Sequence, residues 1–149
     1  MLIIRDMSLD DVKEVAMIEE QTFSMPWSED AFKEMIQNPH AYYYVAQNEN
    51  CIVGCCGMRN ILGEGEITNV VIKEEYQNQG IGNTLMSYMI EAGIRLGVEA
   101  FLLEVRKSNM QAIKLYQNLG FAVEGVRKNF YEKPIEDGLI MWKRIKTDQ

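Results

Sequence analysis

Histidine and cysteine are scarce in this 149-residue sequence, which has one His and three Cys. The lone His40 follows Pro39 in a turn-like stretch and reads as structural or solvated. Cys51, Cys55 and Cys56 crowd into one apolar stretch. An odd, clustered set makes a poor disulfide framework, and its spacing beside a single His matches no zinc pattern. No metal is expected, and the three cysteines read as small apolar residues of a buried strand. None opens a helix or is flanked by Lys, Arg or His, so none has the surroundings that activate a thiol as a nucleophile. No cluster of Lys or Arg supplies the electrostatic footprint of a nucleic-acid binder. No 18 apolar residues run together, so no transmembrane helix is expected, and the N-terminus lacks the basic-then-apolar pattern of a secretory signal. A cytoplasmic protein with neither a membrane nor a nucleic-acid partner is the expectation. Repeats, low-complexity tracts and linkers are also missing, and the length suits one domain over residues 1–149.

What is present is an ordinary globular composition, 47% hydrophobic and 25% charged, with a net charge of −7. That charge serves solubility, or steers a basic protein partner toward the surface. Leu2–Arg5 reads as a first strand. Ser8 is an N-cap, and Val12, Val15 and Ala16 at helical spacing predict a helix to about Gln21. Ser28 caps a second helix with Ala31, Phe32, Met35 and Ile36 on one side, ended by Asn38-Pro39. Tyr42–Gln47 and Cys51–Ile61 form a hairpin across Asn48-Glu49-Asn50. Gly63-Glu64-Gly65 turns again into a strand over Glu66–Ile72. Ile81, Leu85, Met89, Ala92 and Leu96 mark a strong helix, closed by Gly97. Ala100–Val105 is apolar enough for a central strand. Ser108 or Asn109 caps a helix carrying Ala112, Ile113, Tyr116 and Leu119, stopped by Gly120, and strands follow over Phe121–Phe130 and Leu139–Ile145. The predicted class is α/β with a mixed sheet.

The most informative segment runs from Val70 to Asn83, where a β-branched strand enters a loop, Gln77-Asn78-Gln79-Gly80-Ile81-Gly82, that opens a helix. A helix start presents unpaired N–H groups and a positive dipole end. Glycines let backbone approach a ligand closely. Such a loop suits a pyrophosphate, or is a plain strand–helix turn. A dinucleotide fingerprint is excluded because its first glycine and its ribose-binding acid are missing, and a P-loop because no Gly-Lys-Ser/Thr follows.

Glu104 interrupts an apolar run, Phe101-Leu102-Leu103 before it and Val105 after, and alternation puts it on the face of Leu102. A carboxylate there is paired, with Arg106 or Arg59, or has a raised pKa that suits a general base. Tyr116 is core filler, or the source of a proton for a departing thiolate. Glu66 is a solvated strand-end charge, or a second base acting through water.

Gln77-x-x-Gly80-x-Gly82 between strand and helix resembles the acetyl-CoA signature of the GNAT acetyltransferases. Leu103-Glu104-Val105-Arg106-x-Ser108-Asn109 with Ala112-Ile113-x-Leu115-Tyr116-x-x-Leu119-Gly120-Phe121 is similar to the second signature of that family. Pro26-Trp27-Ser28-Glu29 and Arg127-Lys128-Asn129-Phe130-Tyr131 are similar to one branch, the ribosomal-protein-alanine N-acetyltransferases of the RimI type. The resemblance spans nearly the whole chain. It implies the GNAT fold, a central, mostly antiparallel mixed sheet of about seven strands flanked by about four helices. It implies acetyl-CoA as cosubstrate, with the pantetheine arm on Val70, Val71, Ile72 and Asn109, and the pyrophosphate on Asn78, Gln79, Gly80, Ile81, Gly82 and Asn83. It implies Glu104 as base, Tyr116 as acid, and Trp27 and Tyr131 as acceptor-site walls, where each reads equally well as a plain packing aromatic. One departure stands out: the family often carries Arg or Lys where Asn78, Gln79 and Asn83 stand.

The expected reaction is direct transfer in a ternary complex, with a backbone N–H near Val71 polarising the thioester carbonyl. The expected acceptor is the N-terminal α-amine of a protein, alanine of a basic ribosomal protein. The rivals are a small-molecule amine acetyltransferase on the same fold, a non-catalytic acyl-CoA-binding module, and a nucleotide-binding module.

Overall fold

The computed structural model describes residues 1–145. Along the chain lie β1 (Leu2–Asp6), α1 (Val12–Thr22), α2 (Glu29–Ile36), β2 (Ala41–Asn48), β3 (Cys51–Ile61), β4 (Glu64–Ile72), α3 (Ile81–Arg95), β5 (Ala100–Arg106), α4 (Met110–Asn118), β6 (Ala122–Tyr131) and β7 (Glu136–Arg144). The seven strands and four helices come in the expected order. Residues 146–149, the tail of the expected domain, lie outside the described residues.

Local chemistry accounts for most of these elements. Ser8 caps a short 3-10 turn, Leu9–Asp11, which runs into α1. Asp11 there accepts from the Ser8 N–H at 2.8 Å and takes both terminal nitrogens of Arg5 at 2.8 and 2.9 Å, fixing β1 to the helix start. Ser28 Oγ accepts the Ala31 N–H and starts α2, and Asn109, rather than Ser108, does the same for α4 through the Ala112 N–H. Gly97 and Gly120, both at positive φ, follow α3 and α4.

Two strand starts and one burial differ from the sequence pattern. The turn before β4 is only Leu62-Gly63, with φ of 52° and 87°, so the strand opens at Glu64 instead of Glu66. Two residues at positive φ match the twist of a tight hairpin, and the polar Glu64 and Gly65 become strand because Ile61 and Asn60 pair with them. Strand β7 likewise starts at Glu136, ahead of its apolar stretch, because Glu136 pairs with Tyr131 and Gly138 with Arg106. Cys51 is exposed at the mouth of β3, not buried; Cys55 and Cys56 are fully buried as expected.

The sheet order is β1-β2-β3-β4-β5-β7-β6, and every neighbouring pair is antiparallel except β4 and β5. Parallel neighbours need a crossover, which α3 supplies. Helices α3 and α4 cover one face through Leu85, Met86, Met89, Ile113 and Tyr116, packed on Met58, Phe101, Leu103 and Met141. Helices α1 and α2 cover the other through Val12, Val15, Ile18 and Phe32, packed on Tyr43, Val45, Cys55 and Val71.

Strand β4 carries a bulge. Gly57 pairs with Asn69 and Met58 with Ile67, leaving Thr68 unmatched. The extra residue switches the alternation: Ile67, Val70 and Ile72 all pack toward α3, although strict alternation would put Ile67 opposite Val70. Thr68 and Asn69 consequently share the α1–α2 face, where the Tyr43 hydroxyl meets Thr68 Oγ1 at 2.5 Å and Asn69 Oδ1 at 2.6 Å. Gly57 leaves room for the Tyr43 ring, since a Cβ at that position would stand 2.3 Å from the ring edge. Gly57→Ala is therefore expected to destabilise the protein by about 1–3 kcal/mol through overpacking, read as a lower urea midpoint.

Candidate active site

The bulged strand leads directly to a gap in the sheet. β4 and β5 pair only at Glu64–Ala100, Gly65–Phe101 and Glu66–Leu102. Beyond that point β4 stays with β3 and β5 stays with β7, so the two strands part. A cleft of about 660 Å³ opens between them, within the usual range of ligand sites. The edge of β4 from Ile67 to Ile72 faces this cleft with no strand partner. An extended ligand can bond to such an edge as an added strand does.

One end of the cleft is the start of α3. Its N-cap is Gly80, at φ 82° and with no side chain to occupy the first amides. No acidic residue stands in the first turn. A Cβ at Gly80 would meet nothing within 4 Å, so the glycine is required by its backbone angle and not by crowding. Asn78, also at positive φ, is held by Gln111 Nε2 at 2.9 Å, and Gln77 Nε2 donates to the Ile72 carbonyl at 3.0 Å. The loop is thus braced while its helix-start donors and dipole stay free for an anion. Lys114 of α4 also lines the cleft and supplies a positive charge that Asn78, Gln79 and Asn83 do not.

Deeper in the cleft the two helical layers meet through the gap. Glu104 alternates with the core residues Leu103 and Val105, so it points to the α1–α2 side, as expected from its spacing. Its Oε1 lies 3.5 Å from Arg127 Nη1 on β6, while its Oε2 is buried with no partner among the described residues. Neither Arg106 nor Arg59 is its partner: Arg106 pairs with Glu136 and Arg59 with Glu66. Burial pushes the Glu104 carboxyl up, Arg127 pulls it back in part, and the nearby Glu66 charge adds to the rise. Tyr116 comes from the α3–α4 side and is 6% exposed. Burial raises its phenol well above the ordinary value, so it keeps its proton throughout the neutral range. Tyr131, pushed up to about 12 by burial and by the Glu104 charge, stands beside both, with the Arg106 guanidinium 4.6 Å from its ring centre.

Most of the residues singled out from sequence gather here. Val70, Val71, Ile72, Asn78, Gly80, Gly82, Asn83, Glu104, Asn109 and Tyr116 all line the cleft, with Trp27 and Tyr131. Gln79 and Ile81 do not: the Gln79 amide donates to the Glu75 carbonyl, and the Ile81 side chain lies in the core, so only their main chain is placed to contribute. Glu66 is bound to Arg59 and stays outside the cleft wall. Trp27 also packs on Phe32 and Tyr43, with ring centres 5.4 and 6.4 Å away.

A buried carboxylate of the cleft escaped the sequence pattern. Glu19 of α1 is 4% exposed, and burial pushes its carboxyl up to about 7. The Trp27 backbone N–H approaches its Oε1 at 3.4 Å, and Oε2 has no partner among the described residues. Its signal was available, because 12, 15, 16 and 19 fall on one helical stripe and Glu19 is the charged member of that stripe.

Comparison with known proteins gives the family and the fold. Residues 12–121 match the model of the "Acetyltransferase (GNAT) family". The chain belongs to the GNAT acetyltransferase family. This GNAT chain is an acyltransferase. It is 38% identical to a candidate ribosomal protein bS18-alanine N-acetyltransferase of Bacillus subtilis (strain 168), with 95% of each chain covered. It is 31% identical to the ribosomal protein bS18-alanine N-acetyltransferase of Escherichia coli (strain K12), covering 91% of this chain and 89% of that one. The crystal structure of the ribosomal-protein-S18-alanine N-acetyltransferase from Escherichia coli superposes with a TM-score of 0.93 at 29% identity, over 100% of this chain and 97% of the other. The seven-stranded mixed sheet with four helices is the GNAT fold.

Proposed function

We propose that this GNAT chain moves the acetyl group of acetyl-CoA to the α-amine of a protein N-terminus, and that the terminus is alanine on a ribosomal protein. The observation that carries the reaction is the parting of β4 and β5, which joins an open strand edge, a bare helix start and a partly buried carboxylate in one cleft. The acceptor follows from the bS18-alanine activity named for relatives that cover nine-tenths of the chain.

The residues fit the cosubstrate. The edge at Val70, Val71 and Ile72 receives the pantetheine amides, with Asn109 at the far side. The amides from Asn78 to Asn83 receive the pyrophosphate, with Lys114 in support. When bound, acetyl-CoA supplies an activated thioester. Glu104 takes the proton that leaves the nitrogen as the new C–N bond forms, and an N–H near Val71 holds the carbonyl oxygen. Tyr116 gives its proton to the sulfur as the C–S bond breaks. Solvent returns both residues to their starting states. No cysteine takes part: none lines the cleft, and burial raises the Cys55 and Cys56 thiols far above nucleophilic range. Transfer is therefore direct, within a ternary complex.

Purified protein with acetyl-CoA and peptides is expected to add one acetyl group to a peptide beginning with alanine, read by mass spectrometry. The same peptide with a blocked α-amine should stay unmodified. Turnover of polyamines or aminoglycosides in preference to every peptide would replace the proposed acceptor with a small amine. Tyr116→Phe keeps the ring and its packing on Phe121 but removes the acidic proton. A thiol is a weak acid and its anion leaves readily, so acid assistance is worth less than base assistance. The variant is expected to lose about 10-fold in kcat with both KM values little changed.

A further inference from the structure

Glu19 takes no part in the proton transfers described above, yet it is 4% exposed, lines the cleft, and keeps Oε2 without a partner. Buried carboxylates are expensive unless a cation or several donors meet them. Among the described residues no Lys or Arg pairs with Glu19, and its one donor, the Trp27 N–H, reaches Oε1 at the long distance of 3.4 Å. The surroundings are prepared for a polar guest. Tyr43, whose phenol feels the Glu19 charge, bonds Thr68 and Asn69 at the bulge. Thr68 and Glu104 each lie two residues beyond the last paired step, Glu66–Leu102, on opposite sides of the gap. Glu19, Thr68 and Asn69 thus line the α1–α2 side of the opening toward which Glu104 also points, with the Tyr43 hydroxyl bonded behind them. A primary ammonium is the cation that an amine acetyltransferase must bring into this space before the amine loses its proton.

We propose that Glu19 is an acceptor-binding residue whose free carboxylate oxygen receives the incoming ammonium and aims its nitrogen at the thioester, while Glu104 takes the proton. The inference rests on the cleft being the amine site and sharpens it. Two carboxylates divide the labour, one binding the charged acceptor and one discharging it. The conserved volume of a Glu→Gln change separates this role from packing, since Gln keeps an oxygen for the Trp27 N–H and loses only the negative charge.

The test compares two peptides of the same sequence, one beginning with alanine and one in which propionyl replaces that alanine, so that only the ammonium is missing. The natural protein is expected to bind the amine peptide at least about 10-fold more tightly than the propionyl peptide competes with it. In Glu19→Gln that preference should shrink to within about 3-fold, through a higher acceptor KM, while the KM for acetyl-CoA stays unchanged. Glu19→Asp keeps the charge but draws it back, and should recover part of the preference. A preference equal in Glu19→Gln and the natural protein would overturn the inference, as would its absence from the natural protein. If peptides prove not to be acceptors, the acceptor KM of the small amine that is turned over, such as spermidine, decides the matter. The proposed protein acceptor then fails, and an unchanged KM in Glu19→Gln rejects the role of Glu19.

Discussion

Glu104→Gln is expected to lower kcat by about 10²–10⁴-fold while the dissociation constant for acetyl-CoA stays within about 2-fold. The reasoning starts from the strand. β5 places Glu104 on the α1–α2 side of the gap, with one oxygen toward Arg127 and the other buried and free. The cosubstrate contacts inferred at Val70–Ile72 and at the start of α3 do not involve this side chain, so binding survives its change. Gln has the same shape but cannot hold a proton from the amine. A pH series gives a second reading. An α-amine has a pKa near 7.7–8.0, so roughly a seventh is uncharged at pH 7 and nearly all of it at pH 9. The variant should therefore recover by up to about 7-fold over that interval relative to the natural protein, because the solution does for it what Glu104 no longer does. Natural turnover in Glu104→Gln would remove the base assignment and leave the rest of the site standing.

The second large effect concerns stability. Glu19→Gln is expected to be more stable than the natural protein at pH 8, and to lose that advantage at pH 5. Burial raises the Glu19 carboxyl from 4.5 to about 7. The folded protein then binds a proton that the unfolded chain releases between those values. Stability from this group is fully present below about 4.5 and is lost as pH rises through about 7. The interval corresponds to about 3 kcal/mol, an upper figure for so buried a group. Gln has no such dependence. Urea midpoints of the two proteins at pH 5 and pH 8 check it, since every other titrating group is common to both. A gap that does not widen with pH would mean that Glu19 carries its charge comfortably inside the fold. A more stable variant with a weaker grip on its acceptor is the usual exchange at a functional position.

Much of this was legible in the residues, and the exceptions share a cause. Ile81, Leu85 and Met89 announce α3 by spacing alone, and the glycines at 80 and 82 mark its bare start. Glu104 betrays itself by interrupting an apolar strand. What stayed hidden depends on pairing between distant segments. The partner of Glu104 is Arg127, two elements later in sequence, where Arg106 and Arg59 were the near choices. Thr68 looks like one more alternating residue until Gly57 and Met58 show that β3 has no counterpart for it. The start of β7 at Glu136 is dictated by Tyr131 and Arg106, not by its own polar residues. Glu19 is a different case, because its position on an apolar stripe is readable from spacing, yet it belongs to neither signature motif.

The three-rung junction between β4 and β5 has a cost that no single side chain reveals. A sequence that zipped those strands to their ends would satisfy more main-chain groups and make a sturdier molecule, and it would close the space proposed here for the thioester. If the proposed site is right, improvement by ordinary stabilising substitutions is blocked in this one place, since the vacancy in the ladder is where the proposed transfer happens.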